Sequence, residues 1–313
     1  MKVIDGLEGI KQNLPYPILT LGNFDGVHLG HKAIFRILTD RAREKKGTSI
    51  VFTFVPHPLN VIAPERAPKL LTTYKDKINL IESSGIDVII CTHFTKDFAK
   101  ITAEDFVREI LCKTLKVREV FIGSNYLFGK GRKGSPELLK KIGRECGFDV
   151  TIIEEIKMDG ASLSSSQIRR LIAKGKVDEA SKFLGRRYSV EGIVVEGAKR
   201  GKSLLNVPTA NLLTANELLP KDGVYAVTVD IDGNTFGGAT NIGYNPTFTD
   251  KQFTFETHVL DFSGELRGKT LRVHFVKRIR DEKKFSSVDD LKAQMIKDLD
   301  TIRNILAAQR VLK

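Results

Sequence analysis

The first 185 residues alternate short apolar runs with amphipathic stretches. Apolar runs rich in β-branched and aromatic residues predict buried strands, and apolar residues that recur every three or four positions predict helices. The predicted strands are 16–21, 49–54, 86–91, 118–123 and 148–155, and the predicted helices lie near 34–42, 75–84, 103–115 and 136–146. Strict alternation of strand and helix is typical of a parallel sheet that is covered on both faces. We therefore predict an α/β domain with a Rossmann-like parallel sheet over residues 1–185.

The pattern changes near residue 185. Segments rich in Val, Thr, Phe and Tyr follow, with turn signals such as Asp232-Gly233 between them: 188–197, 223–231, 253–262 and 270–279. This spacing is typical of a small antiparallel barrel. The chain ends in a predicted helix in which apolar residues recur from Val288 to Leu306, with Ser286 or Ser287 as its candidate cap. We predict a second domain, residues 186–313, consisting of a small antiparallel β-barrel and a C-terminal helix.

Composition agrees with two globular domains, because single hydrophobic cores stop growing at about 250 to 300 residues and this chain has 313. No apolar run approaches the roughly 20 residues that span a bilayer, and no signal peptide is recognisable, so we expect a cytoplasmic protein without a membrane partner. The net charge of +12 is spread over both halves and contains no long basic run. It therefore favours phosphate-bearing ligands over a nucleic-acid partner. The oligomeric state is left open.

The most informative stretch is 21-LGNFDGVHLGHKAIF-35, which follows the first predicted strand and begins the first helix. Open α/β sheets bind ligands at this position, and the helix N-terminus offers amide donors and partial positive charge. Two imidazoles, His28 and His31, could donate hydrogen bonds to a phosphoryl group whose charge grows during displacement. Either histidine alone is more simply a surface or core residue. The combination of strand, Gly-rich turn, HxGH and helix start favours a nucleotide site.

These residues also carry a family resemblance. The segment 22-GNFDGVHLGHKAI-34 resembles the HxGH element of the nucleotidylyltransferases, and in its extended form that of the bacterial bifunctional riboflavin kinase/FAD synthetases. Further segments agree with this family in order and spacing: 52-FTFVPHP-58, 123-GSNYLFGKGRKG-134, 164-SSSQIR-169, 207-VPTANL-212, 223-GVYA-226, 241-NIGYNPTF-248, 255-FETHVLDF-262 and 278-RIRDEKKF-285. Together they extend over nearly the whole chain.

For the first domain, the resemblance implies adenylylation of FMN with ATP, which yields FAD and pyrophosphate. It places His28 and His31 at the ATP phosphates, with Arg169 as a further catalytic group. The other implied nucleotide-binding or turn-shaping residues are Gly22, Phe24, Asp25, Gly30, Asn125, Ser165 and Ser166. Without the resemblance, 164-SSSQIR-169 is equally well a capped helix with a basic first turn.

For the second domain, the resemblance implies phosphorylation of riboflavin by ATP with Mg²⁺ as cofactor. It implies Thr209 and Asn211 as the metal-binding pair, Glu256 as the general base, and Arg280 as a residue near the flavin. On pattern alone, Glu256 is an ordinary solvent-facing glutamate that shares a strand face with His258. The implied ligands of the whole chain are riboflavin, FMN, FAD and ATP.

The segment 197-GAKRGKS-203 is not a Walker A motif, since it has three residues between its glycines where that motif needs four. The resemblance makes it a flap over the kinase nucleotide, with Gly197 and Lys202 near phosphate. The family pattern is broken at 206–207 and at Asn245. A monofunctional FMN adenylyltransferase with a degenerate kinase module is therefore the main alternative, and a flavin- or RNA-binding regulator without turnover is another.

Overall fold

A computed structural model describes residues 1–8, 10, 14–158, 160–195, 209–244 and 253–309. They form two compact units, Met1–Ser165 and Ser166–Lys313. Residues 166–185, which lie inside the predicted first domain of 1–185, group with the second unit. The predicted domain boundary at 185/186 stays a prediction.

The described part of the first unit contains eight strands and five α-helices, besides short 3₁₀ turns. The strands are β1 (Lys2–Asp5), β2 (Pro17–Leu21), β3 (Thr48–Val55), β4 (Val88–His93), β5 (Glu119–Gly123), β6 (Asp149–Ile153), β7 (Lys157–Met158) and β8 (Ala161–Ser162). The helices are α1 (Leu29–Lys45), α2 (Pro58–Ile62), α3 (Tyr74–Glu82), α4 (Ala103–Asp105), which continues as π-helical turns over Phe106–Thr114, and α5 (Pro136–Cys146).

Six of these strands form one parallel sheet in the order β1, β4, β3, β2, β5, β6. Neighbouring residues of β2 point to opposite faces: Ile18 packs in the cluster with α1 and α3, and Leu19 packs in the cluster with α5. Both faces are therefore covered, and the predicted parallel α/β fold is confirmed. The strand order reverses at β2, which has β3 on one side and β5 on the other. Such a switch point opens a crevice at the carboxyl ends of the strands.

The second unit is built around a closed antiparallel barrel. Its elements are α6 (Ser165–Ala173), α7 (Val177–Leu184), β9 (Ser189–Val195), β10 (Ala210–Thr214), β11 (Gly223–Ile231), β12 (Asn234–Tyr244), β13 (Phe253–Val259), β14 (Thr270–Arg280) and α8 (Val288–Ala308). The barrel order is β10, β13, β12, β11, β14, β9, so the predicted barrel is confirmed. Ser287 caps α8 by accepting a hydrogen bond from the amide of Asp290 at 3.0 Å.

Helix α8 packs on the barrel through Ile302 and Leu306, which are fully buried against β11 and β14. This confirms the predicted C-terminal helix and its apolar stripe. Among the residues described above, no helix has both the length and the apolar character that crossing a membrane requires.

Candidate functional site

The turn between β2 and α1 has an unusual backbone. Phe24 and Val27 have positive φ angles of 49° and 37°, and Gly26 between them has φ of 80°. Each non-glycine residue in this region costs about 1 to 3 kcal/mol, so the surrounding structure must hold it there. Gly22 contributes by lacking a side chain, because a Cβ at this position would lie 2.8 Å from the ring of Phe24. The sequence-predicted turn is therefore a strained, externally supported loop at the switch point of the sheet.

Asp25 anchors this turn from within. Its buried carboxylate accepts hydrogen bonds from the amides of Leu71 and Thr72 at 3.0 and 3.2 Å, and from the Thr72 hydroxyl at 3.3 Å. The same hydroxyl accepts a hydrogen bond from the amide of Gly26 at 3.3 Å. Because its oxygens accept these hydrogen bonds, Asp25 links the turn to the segment before α3.

The two histidines stack on each other where α1 begins. Their ring centroids lie 3.6 Å apart at an interplanar angle of 21°, and the edge of Phe24 contacts His31 at 5.1 Å. His28 is the N-cap, since its Nδ1 accepts a hydrogen bond from the amide of His31 at 3.3 Å. An accepting Nδ1 leaves the proton of the neutral ring on Nε2. A Cβ on Gly30 would lie 3.1 Å from the His28 ring, so glycine makes room for this stack.

This arrangement is suited to an anion. The first turn of α1 contains no acidic residue, and the amides of a helix N-terminus attract negative charge. The structure places Phe24, Asp25, His28, Gly30 and His31 together at the edge where open α/β sheets bind nucleotides. Their role in nucleotide binding stays a prediction.

Ser165 reaches the same turn from a distant part of the chain. It is the first residue of α6, and its hydroxyl donates a hydrogen bond to the carbonyl of Asp25 at 2.9 Å. Ser166 and Arg169 follow on this helix, the first exposed and the second half-buried. Their predicted contacts to phosphate stay predictions.

Asn125 lies two residues beyond the end of β5 and is exposed. Because β5 is the neighbour of β2 in the parallel sheet, the loop that carries Asn125 leaves from the same edge as the histidine turn. Its Oδ1 lies 3.5 Å from the point where a Cβ on Gly123 would stand, so the side chain folds back over the end of its own strand. Its predicted role in nucleotide binding is not tested.

In the second unit, Glu256 lies in a row of polar side chains on the outside of the barrel. Its direct register partners are Asn211 on β10 and Asn241 on β12, and directly opposed residues project from the same face of a sheet. The flanking Phe255 and Thr257 are buried inside the barrel. The carboxyl of Glu256 is half-buried, and this burial raises its pKa above that of an ordinary glutamate. A carboxylate with a raised pKa is a stronger base.

Two further side chains extend this row. The amide Nδ2 of Asn241 donates a long hydrogen bond, 3.5 Å, to Oε1 of Glu282. The carboxyl of Glu282 lies over the α-carbon of Gly243, where any larger residue would displace it. Thr209, the other predicted metal-binding residue, is half-buried and directly precedes β10.

Arg280 is committed to an ion pair. Its Nε donates to Oδ1 and Oδ2 of Asp298 at 3.1 and 2.9 Å, and its Nη2 donates to Oδ2 at 2.7 Å. The side chains are only 16% and 9% exposed, and the guanidinium also lies over the ring of Phe285 at 5.9 Å. This pair joins β14 to α8. The predicted flavin contact of Arg280 stays a prediction. The guanidinium is already paired with the carboxylate of Asp298.

Gly197 and Lys202 lie outside the described residues, as do Asn206, Val207 and Asn245. Sequence analysis missed Thr72, Asn241 and Glu282. Thr72 belongs to a Thr pair ahead of a predicted helix. Asn241 and Glu282 are polar residues in or near segments without a clear alternation of apolar and polar positions.

The comparisons with known proteins agree with this geometry. The family model for FAD synthetase matches residues 10–167, and that for riboflavin kinase matches residues 184–306. The chain is 36% identical over 306 residues to a bifunctional riboflavin kinase/FMN adenylyltransferase of Escherichia coli (strain K12), with 97% of each chain covered. It is 35% identical to the protein of the same description from Pseudomonas fluorescens, with 98% of each chain covered. The chain belongs to the bifunctional riboflavin kinase/FMN adenylyltransferase family.

The solved structures include a member of this fold with a different description. A crystal structure described as a macrolide-efflux protein from Streptococcus pneumoniae has a TM-score of 0.87 and 30% sequence identity, covering 97% of this chain and 99% of that one. The two domains of the riboflavin kinase/FMN adenylyltransferase family coincide with the two folds seen here: the FAD synthetase match covers strands β2 to β6 of the parallel sheet, and the riboflavin kinase match covers the barrel and most of α8. Both enzyme domains are therefore present, which supports the bifunctional interpretation over the monofunctional alternative.

Proposed function

We propose that this chain converts riboflavin to FAD in two steps, each on its own domain. At the barrel, the 5′-hydroxyl of riboflavin attacks the γ-phosphorus of ATP, which gives FMN and ADP. At the parallel sheet, the phosphate of FMN attacks the α-phosphorus of a second ATP, which gives FAD and pyrophosphate. The observation that carries this proposal is that the histidine pair His28/His31 and the carboxylate of Glu256 lie in separate compact units.

In the kinase step, Glu256 accepts the proton of the riboflavin hydroxyl as the new O–P bond forms and the bond to the leaving ADP oxygen breaks. The raised pKa from burial supports this role, because a general base works best when its pKa approaches the working pH. Asn211 and Asn241 flank the carboxylate on the neighbouring strands. They can orient a polyhydroxylated substrate beside it without competing for the proton.

In the adenylylation step, the attacking phosphate is already an anion and needs no base. The requirement is for hydrogen-bond donors that meet the charge developing on the α-phosphoryl group and on the leaving pyrophosphate. The amides of the first turn of α1 and the Nε2–H of His28 are such donors, with His31 stacked against it. Asn125, in the same unit as the two histidines, is a further proposed donor.

Mg²⁺ is the proposed cofactor of the kinase step. The hydroxyl of Thr209 and the amide oxygen of Asn211 are neutral oxygen donors. They fit this ion because Mg²⁺ keeps several waters and takes its remaining ligands from substrate phosphates. When bound, Mg²⁺ neutralises part of the charge of the ATP phosphates. A cytoplasmic location, where riboflavin and ATP are both available, belongs to the same proposal.

The test separates the two reactions on one protein. Glu256→Gln should abolish FMN formation from riboflavin and leave FAD formation from supplied FMN unchanged, whereas His28→Ala should do the reverse. Glu265→Gln and His93→Ala, exposed residues of the same types in the same units, serve as matched controls and should change neither rate. If either active-site variant silences both reactions in a folded protein, the two-site proposal is wrong.

A further inference from the structure

Lys77 is a buried charge that the proposed mechanism does not use. It lies on the inner side of α3 and is only 9% exposed. Its ammonium donates hydrogen bonds to the Thr53 hydroxyl at 3.2 Å and to the carbonyl of Phe54 at 3.3 Å. Both acceptors stand near the carboxyl end of β3, the edge of the sheet that carries the histidine turn.

This position is costly. Among the described residues, the hydrogen-bond acceptors of Lys77 are the neutral oxygens of Thr53 and Phe54, and the carboxylate of Asp25 acts on its charge through space. Burial outweighs this attraction and lowers the pKa of the ammonium group. Burying a charge without a directly hydrogen-bonded opposite charge lowers stability. An apolar side chain of the same length would pack in its place at lower cost, so packing alone does not account for a lysine here.

The hydrogen bonds of Lys77 lead directly to the active-site turn. An ammonium can only donate, so the Thr53 hydroxyl accepts from Lys77 and its own proton is directed elsewhere. That proton is donated to the carbonyl of Asn23 at 3.2 Å. Asn23 directly precedes Phe24, the first of the three positive-φ residues that lead to His28. The relay Lys77, Thr53, Asn23 is thus oriented in one direction by the charge at its start.

We propose that Lys77 is a positioning residue for adenylyl transfer: its buried charge holds the turn between β2 and α1 in the conformation that presents His28 and His31. This inference rests on the proposed function of the histidine site. Lys77 acts through the Thr53 hydroxyl. This role explains why a lysine, and not an apolar side chain, lies behind the strained turn. Lys77 does not contact the α-phosphoryl group of ATP in this proposal; it positions the histidines that do.

The test uses the full chain and compares stability with activity. Lys77→Met removes the charge but keeps the chain length, and Thr53→Val removes the relay hydroxyl but keeps the shape. We expect each variant to lower kcat for FAD formation from FMN by about 10- to 100-fold, with KM for ATP changed by less than about 3-fold. The urea midpoint of Lys77→Met should equal or exceed that of the wild type, because apolar replacement of a buried charge is neutral or stabilising.

Three controls make the result decisive. Riboflavin phosphorylation by the same variants should be unchanged, and Lys75→Met, at an exposed position of the same helix, should leave both reactions unchanged. The double variant Lys77→Met/Thr53→Val should be no slower than the slower single variant, since both act through one relay.

A retained kcat in either single variant overturns the proposal, as does a loss of kcat in Lys77→Met that is matched by a lower urea midpoint, or an additive double variant. If Lys77→Met does not fold, the kcat of Thr53→Val decides alone. A wild-type protein that forms no FAD from FMN would instead refute the proposed function, which keeps the two failures apart.

Discussion

The ion pair between Arg280 and Asp298 gives the sharpest prediction about the barrel. Asp298→Ala leaves the Arg280 guanidinium 16% exposed and without the carboxylate that now accepts three of its hydrogen-bond contacts. Gln294 also loses its acceptor, Oδ1 of Asp298, at 2.8 Å. Removing one partner of a buried ion pair typically costs about 3 to 5 kcal/mol, because the other charge stays buried. We expect a loss near 3 kcal/mol, since the pair is not fully enclosed.

The assay is urea unfolding of the full chain. Because the protein contains no tryptophan, unfolding is best followed by far-ultraviolet circular dichroism. Pulse proteolysis at each urea concentration then shows, from the fragments that survive, whether the barrel is still folded. The double variant Arg280→Leu/Asp298→Leu should recover most of the loss, because apolar replacement of both partners removes the uncompensated charge. Arg303→Ala, whose partner Asp261 lies on the surface, is the control and should cost less than about 1 kcal/mol.

A loss below about 1 kcal/mol for Asp298→Ala would refute the reasoning, as would a double variant that is no more stable than Asp298→Ala alone. The same double variant tests the predicted flavin contact of Arg280. If the guanidinium serves only α8, riboflavin phosphorylation in the recovered double variant keeps its KM for riboflavin. A KM raised by about 10-fold or more, in a protein of restored stability, would establish the flavin contact instead.

Three shorter predictions concern the two sites. The kcat/KM for riboflavin should fall as pH decreases through the raised pKa of Glu256, because the base acts only when ionised, and a pH–rate profile with FAD formation as the reference checks this. Gly26→Ala should destabilise the first unit by about 1 to 3 kcal/mol and lower the rate of FAD formation. The reason is that Gly26 has a φ of 80° and an added Cβ would lie 2.6 Å from Leu71. Urea unfolding measures the loss of stability, and product chromatography measures the rate. Gly243→Ala should displace the Glu282 side chain at little cost in stability and lower riboflavin phosphorylation by several-fold, and an unchanged kinase rate would remove Glu282 from the site.

The parts of the fold that sequence predicted are those with a strong local pattern. Strands such as β3 and β11, and helix α5, were recognisable from apolar runs and periodicity. Strand β12 was not, because 234-NTFGGATNIGY-244 is rich in glycine and lacks alternation. It nevertheless pairs on both sides in the barrel. Its partners β11 and β13 are its neighbours in sequence, but its own pattern does not show which residues face outward, so Asn241 could not be placed beside Glu256 in advance.

The same limit applies to the histidine site. The site residues within 22–31 could be predicted together because they lie close together in sequence, and the family resemblance implied their role in nucleotide binding. The groups that hold them are separated in sequence: Thr72 is 47 residues from Asp25 and Ser165 is 140 residues from it. Only the folded parallel-sheet unit brings these segments together, so local pattern could identify the site without revealing what supports its conformation.

The two sites differ in the way that their proposed reactions require. The nucleophile of riboflavin phosphorylation is a neutral hydroxyl, which must lose a proton, and the barrel offers a half-buried carboxylate whose pKa is raised. The nucleophile of adenylylation is an anionic phosphate, for which a nearby ionised carboxylate would be repulsive. At the histidine turn, the first turn of α1 has no acidic residue, and the carboxylate of Asp25 is occupied by amide and hydroxyl donors. Exchange of the two chemistries between the domains would therefore need more than new substrate contacts, because adenylylation must avoid the ionised carboxylate that riboflavin phosphorylation needs as its base.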